Sequence, residues 1–88
     1  MKTYPIAHYK KGGSDLFLNG GKLTISDAEY TVQYLFKEVA RFSAEETTVT
    51  RASEQMLYEG IKLADDKTSI ELYFTRKTVE ELWKLFKL

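Results

Sequence analysis

Ala28-Glu29-Tyr30-Thr31-Val32-Gln33-Tyr34-Leu35-Phe36-Lys37-Glu38-Val39-Ala40-Arg41-Phe42 admits two readings, and the choice between them decides the fold. On a helical wheel Ala28, Val32, Leu35, Phe36, Val39 and Phe42 share one face, and Ser26 with Glu29 has the form of a capping box. In an extended chain Tyr30, Val32, Tyr34 and Phe36 alternate with Glu29, Thr31, Gln33 and Leu35. β-Branched and aromatic residues lose side-chain freedom in a helix and fit a pleated surface. Propensity therefore favours a strand over 29–36, and wheel periodicity favours a helix over 28–42. The flanking sequence reads as hairpins, which tilts the choice to a strand. The helical alternative makes the chain α+β.

Upstream, Thr3 to Lys10 is extended, with Pro5 marking a late start or an edge position, because proline has no N–H to give a ladder. Lys11-Gly12-Gly13-Ser14 reads as a loop or bulge. Asn19-Gly20 between Asp15–Leu18 and Lys22–Ile25 is the strongest local hairpin signal, since both residues tolerate positive φ. Ser26-Asp27 marks a second turn. Downstream, Ser43–Glu46 is a turn and Thr47–Arg51 a strand, followed by a polar loop at Ala52–Gln55. Met56–Leu63 and Thr68–Phe74 form a hairpin around Ala64–Lys67. In its second arm Ile70, Leu72 and Phe74 face one way and Glu71, Tyr73 and Thr75 the other, the pattern of a sheet with one wet face.

The last eleven residues read as an amphipathic helix. Thr78 is a good N-cap with Glu81 at the capping-box position. Val79, Leu82, Trp83 and Phe86 fall on one stripe, and the acids precede Lys84 and Lys87 as the helix dipole prefers. A bent antiparallel sheet leaves one end open, and this stripe is the expected plug: Val79, Leu82, Trp83 and Phe86.

The 88 residues are expected to make one domain, 1–88, with 43 % apolar and 30 % charged residues, the composition of a globular protein. There is no cysteine, which removes disulfides, thiolate metal sites and cysteine nucleophiles and fits a cytoplasmic setting. No apolar run reaches the ~18–20 residues of a membrane span. Thirteen basic and thirteen acidic residues cancel, whereas a dedicated nucleic-acid binder usually carries a basic surplus.

Several stretches carry a family resemblance: Gly20-Gly21-Lys22-Leu23-Thr24-Ile25, Phe42-Ser43-Ala44-Glu45-Glu46-Thr47-Thr48-Val49, Gly60-Ile61-Lys62-Leu63 through Tyr73-Phe74, and Trp83 in the terminal helix. Together they resemble the pleckstrin-homology (PH) superfold, especially its bacterial and GRAM-type members. The resemblance implies a mainly β protein, a bent antiparallel barrel of about seven strands closed by one C-terminal amphipathic helix, in line with the strand spacing. It also implies where an anionic lipid headgroup would bind. Members that hold phosphoinositides carry basic residues in the first strand pair, where this chain has Lys10, Lys11 and Lys22 but no arginine before Arg41.

Catalytic chemistry finds no support in the residues. His8 is the single histidine and has no companion for a metal set. Glu45-Glu46, Asp65-Asp66 and Glu80-Glu81 lie in turns or at a helix start, where acids are structurally favoured. No phosphate-binding glycine loop is present. The expectation is a non-enzymatic interaction domain without catalytic residues, cofactor or metal. It binds a protein or peptide partner or associates with itself, through a sheet edge. Peripheral binding of anionic lipid through Lys10, Lys11 and Lys22 is one alternative, and a nucleic-acid accessory factor is another.

Overall fold

The computed structural model of the chain describes residues 1–11, 14–34, 37–53 and 59–88, and residues 14–20 and 53 as backbone only. Seven antiparallel strands curl into a half-barrel that one C-terminal helix closes. The strands are β1 (Lys2–Lys11), β2 (Ser14–Ile25), β3 (Glu29–Tyr34), β4 (Lys37–Ser43), β5 (Thr48–Ser53), β6 (Glu59–Ala64) and β7 (Ser69–Phe74). The helix is α1 (Arg76–Leu85). Their order in the sheet is β4-β3-β2-β1-β7-β6-β5, so β1 and β7 meet in the middle and β4 and β5 form the two ends.

Within the ambiguous stretch the described residues form two strands, β3 and β4, and the expected strand positions Leu35 and Phe36 lie outside the described residues. Tyr34 pairs with Lys37, so the chain reverses between them, where the sequence carries no Gly, Pro, Asn or Asp. Val32 and Phe42 are buried in the core, and Tyr30 and Tyr34 pack against it from the same face. The Ser26 hydroxyl does accept the Glu29 N–H at 3.2 Å, as a capping box would require, but here the bond closes the β2–β3 turn. One ten-residue helix is all that the described residues contain, and the α+β alternative falls.

Asn19-Gly20 does not form the expected hairpin. β2 runs unbroken through it. The β1–β2 register jumps from Ile6↔Gly21 to His8↔Phe17, which sets Leu18-Asn19-Gly20 opposite Ala7 alone. Tolerance of positive φ suits a bulge as well as a turn. The hairpin reverses instead between Lys11 and Ser14, which pair directly. The bulge also switches the face of β1: Tyr4 and Ile6 enter the core from even positions, Tyr9 from an odd one.

The switch splits the neighbourhood of β1. Its second half pairs with β7 from His8↔Tyr73 to Lys11↔Ile70, whereas Lys2–Ile6 pair with β2 only. The sheet therefore splays between the first half of β1 and β7, and α1 packs beside that gap on β6 and β7.

Helix α1 starts earlier than its sequence signals. Thr75 is the N-cap and its carbonyl takes the first helical bond, from Val79 N–H at 3.0 Å. Thr78 sits inside the first turn, with its hydroxyl 3.2 Å from that of Thr75. Only Thr75 separates the buried Phe74 from the helix, so tight strand-to-helix coupling overrides the better cap. At the other end Leu88 N–H bonds the Trp83 carbonyl and Lys87 N–H that of Lys84, with Lys87 at φ 56°. That double bond is a Schellman closure with lysine in the position usually held by glycine.

Val79 and Leu82 are fully buried, each worth roughly 1.5–3 kcal/mol of apolar burial. Trp83 and Phe86 lie half-buried at the rim. The Trp83 Nε1–H donates to the Gly60 carbonyl at 3.1 Å, and the Arg51 guanidinium stacks 4.1 Å above its ring. Phe86 meets Tyr30 edge-on at 5.4 Å.

Candidate functional site

An antiparallel half-barrel leaves edges, and an edge exposes a row of backbone N–H and C=O groups that another chain can pair with. Three such edges exist among the described residues, and they are not equally protected. At the β4 edge the register slips between Val32 and Gln33, giving a bulge at Val39. The Lys11 ammonium reaches across from the β1 tip and donates to the Val39 carbonyl at 3.0 Å. Arg41, bonded to Glu38 at 2.7 Å and near Glu29 at 3.5 Å, adds charge to the same strand. The Glu38 hydrogen bond and the two carboxylates raise the Arg41 pKa. The second edge, the first half of β1, contains Pro5, which has no N–H to offer.

The third edge, β5, lacks those protections. It pairs with β6 without a register shift from Thr48↔Ala64 to Ser53↔Glu59. Its outward side chains Thr48 and Thr50 are exposed and uncharged, and Val49 is half-buried against the core. Arg51, its one charged residue, is held by the Trp83 ring and by the Leu88 carbonyl at 2.7 Å. Unbulged, β-branched at Thr48, Val49 and Thr50, and with its one charge engaged elsewhere, β5 is the edge best suited to accept a further strand.

Lys10, Lys11 and Lys22 do not converge. Lys11 is engaged at Val39. Lys10 stands opposite Asp15 on β2 and Glu71 on β7 in the register of the sheet. Lys22 lies opposite Pro5 and Gln33. Pro5 and Lys10 are five residues apart on β1, a separation of roughly 16 Å at the rise of a strand.

The expected wet face of the last hairpin is dry at its centre. Tyr73 is 1 % exposed, stacks on His8 at 5.1 Å and donates its hydroxyl to Glu71 Oε1 at 2.8 Å. Ala52, Gly60, Tyr73 and His8 form one buried rung across β5, β6, β7 and β1, on the face opposite Leu72 and Tyr9. Alternation within β7 could not reveal this, because the burial depends on register with three other strands. Tyr73 is thereby removed from the surface available to a partner.

One member of each of two acid pairs, Asp65 and Glu80, has a structural partner. Asp65 Oδ1 accepts the N–H groups of Lys67 and Thr68, both at 2.9 Å, which fixes the β6–β7 turn. Those two bonds hold the Asp65 carboxyl below its ordinary pKa. Glu80 pairs with Arg76 at 3.5 Å on the exposed side of α1. Among the described residues no three His, Asp or Glu side chains come together as a metal set, and no helix is long and apolar enough to cross a membrane.

In comparisons with known proteins the chain matches no family model, no curated protein and no solved structure.

Proposed function

We propose that this chain is a small non-enzymatic interaction domain of the PH and GRAM-like kind. It takes an extended segment of a protein or peptide partner, or of a second copy, as an eighth strand along β5. The observation that carries the proposal is the contrast between edges. β4 is bulged and charged and β1 is blunted by Pro5, while β5 is straight, uncharged on its outward side and paired on one side only. Strand addition draws affinity from main-chain hydrogen bonds and specificity from alternate side chains. The strand order and the terminal helix support the PH-like assignment. The scattered placement of Lys10, Lys11 and Lys22 weighs against the anionic-lipid reading, and the balanced charge against nucleic acid.

The test combines affinity capture from the native host with hydrogen exchange on the captured complex, and sedimentation of the pure protein at rising concentration. Strand addition slows exchange of β5 amides in the complex or in the self-associated form. Thr50→Lys places a charge on the exposed edge and should abolish the interaction while leaving the melting temperature close to wild type. Protection confined to other strands, or an interaction indifferent to Thr50→Lys, refutes the assignment.

A further inference from the structure

Between the first half of β1 and α1 lies an open cleft of about 380 Å³, lined by Lys2, Tyr4, Glu81, Lys84 and Leu85. The periods of its two walls bring these residues together. Lys2 and Tyr4 are two apart on a strand and face the same way, while Glu81, Lys84 and Leu85 share one face of a helix. Tyr4 is 7 % exposed and gives the cleft a firm apolar wall. Leu85 and Met1 are the exposed large apolar side chains among the described residues. Leu85 lines this cleft, and Met1 immediately precedes a residue that does. Two ammonium groups outnumber one carboxylate. Exposed apolar surface and surplus positive charge thus coincide at one place, although the molecule as a whole is neutral.

Small-molecule sites are concave and largely apolar, with a few charged groups that fix orientation. Lysines alone attract any anion, whereas lysines beside an apolar wall favour an anion that carries an apolar body. We propose that this cleft binds a small amphipathic carboxylate. Lys2 and Lys84 hold its anionic head, and a short hydrocarbon or aryl body rests on Tyr4 and Leu85. Glu81 repels a second negative charge, which favours a monoanion over a polyanion. At about 30 Å³ per water the cleft has room for roughly a dozen heavy atoms. Pro5 next to the cleft denies a full hydrogen-bonded ladder to an extended peptide, which favours a small molecule as occupant. The site lies away from β5 and is independent of strand addition there.

Amide NMR titration with octanoate, and with octanamide as its neutral isostere, tests the assignment. Octanoate should give saturable shifts centred on Lys2, Tyr4, Lys84 and Leu85, at roughly millimolar affinity that weakens with salt. Octanamide should bind about tenfold more weakly. Lys2→Gln and Lys84→Gln replace exposed side chains, so the remaining spectrum should persist while octanoate affinity falls several-fold in each. Equal affinity for acid and amide, shifts centred elsewhere, or undiminished binding by the double variant overturns the proposal. Phosphatidylcholine vesicles containing phosphatidylserine separate a free amphiphile from lipid in a bilayer. Retention on vesicles without a response to monomeric octanoate overturns the small-molecule site.

Discussion

Gly60 is the position where one added methyl group should do most damage. A Cβ there would lie 1.8 Å from the Leu72 carbonyl oxygen, 2.8 Å from its carbonyl carbon and 3.0 Å from the Tyr73 Cα. All three are backbone atoms of the neighbouring strand, so no side-chain rotation relieves the clash. Opening the closest contact from 1.8 Å even to 3.0 Å requires β6 and β7 to part by about 1.2 Å, against a normal strand spacing of about 4.8 Å. That separation weakens the Gly60↔Tyr73 rung and pulls the Gly60 carbonyl from the Trp83 Nε1–H. Overpacking of this kind costs about 1–3 kcal/mol, and each lost hydrogen bond adds about 1 kcal/mol. Gly60→Ala should therefore lose about 3–5 kcal/mol, a large share of the roughly 4–13 kcal/mol available to a domain of this length. Urea unfolding followed by tryptophan fluorescence reads both effects, because Trp83 reports on the same contact. An unfolding free energy within about 0.5 kcal/mol of wild type, the range of an ordinary surface substitution, refutes the close approach of β6 and β7.

Leu82→Ala should cost about 2–5 kcal/mol, since Leu82 is fully enclosed. Trp83→Phe, which removes the bond to Gly60, part of a half-buried ring and the best stacking surface for Arg51, should cost about 1–2 kcal/mol, so thermal melts that reverse this order disprove the rim position of Trp83. The Asp65 carboxyl has a lower pKa folded than unfolded, so its contribution is present above the unfolded value and is lost as pH falls through the folded one. Asp65→Asn should accordingly flatten the decline in urea midpoint below about pH 4, and parallel profiles for variant and wild type contradict the role of the two turn N–H bonds. Lys11→Met should leave stability within about 0.5 kcal/mol but expose the β4 edge, increasing association at high concentration in light scattering. Unchanged scattering shows that the bulge alone protects that edge.

Strand content was legible because its signals are local. β-Branched and aromatic residues tilt Tyr-Thr-Val-Gln-Tyr toward a strand, and the alternation of Ile70, Leu72 and Phe74 survives intact as a buried face. The reversal between Tyr34 and Lys37 was not legible, since no residue there has a turn preference and the pairing of β3 with β4 imposes it. Asn19-Gly20 misleads for the opposite reason. Its signal is real, but backbone freedom serves a bulge as readily as a turn, and the partner strand decides which. Of the candidate site, only the idea of an edge was visible. The features that single out β5 are Lys11 on Val39, Pro5 on a half-strand paired on one side only, and Arg51 beneath the helix end, and each takes its meaning from pairing or contact between distant segments. The cleft lysines at positions 2 and 84 gave no signal, because they lie at opposite ends of the chain.

The sequence by itself determined a mainly β chain ending in an amphipathic helix. Side-chain entropy, hydrophobic period and dipole-matched charge act within a few residues and need no partner. The tertiary structure decided where the strands begin and end, which edge stays open, and which aromatic residues are enclosed. Those outcomes depend on register, and a bulge opposite Ala7 that re-aims Tyr9 into the core and turns His8 toward Tyr73 is set by pairing between distant segments. Trp83 shows the division clearly. Its helical stripe was written in the sequence, but its place at the rim follows from the Gly60 carbonyl and Arg51 that await it on β6 and β5.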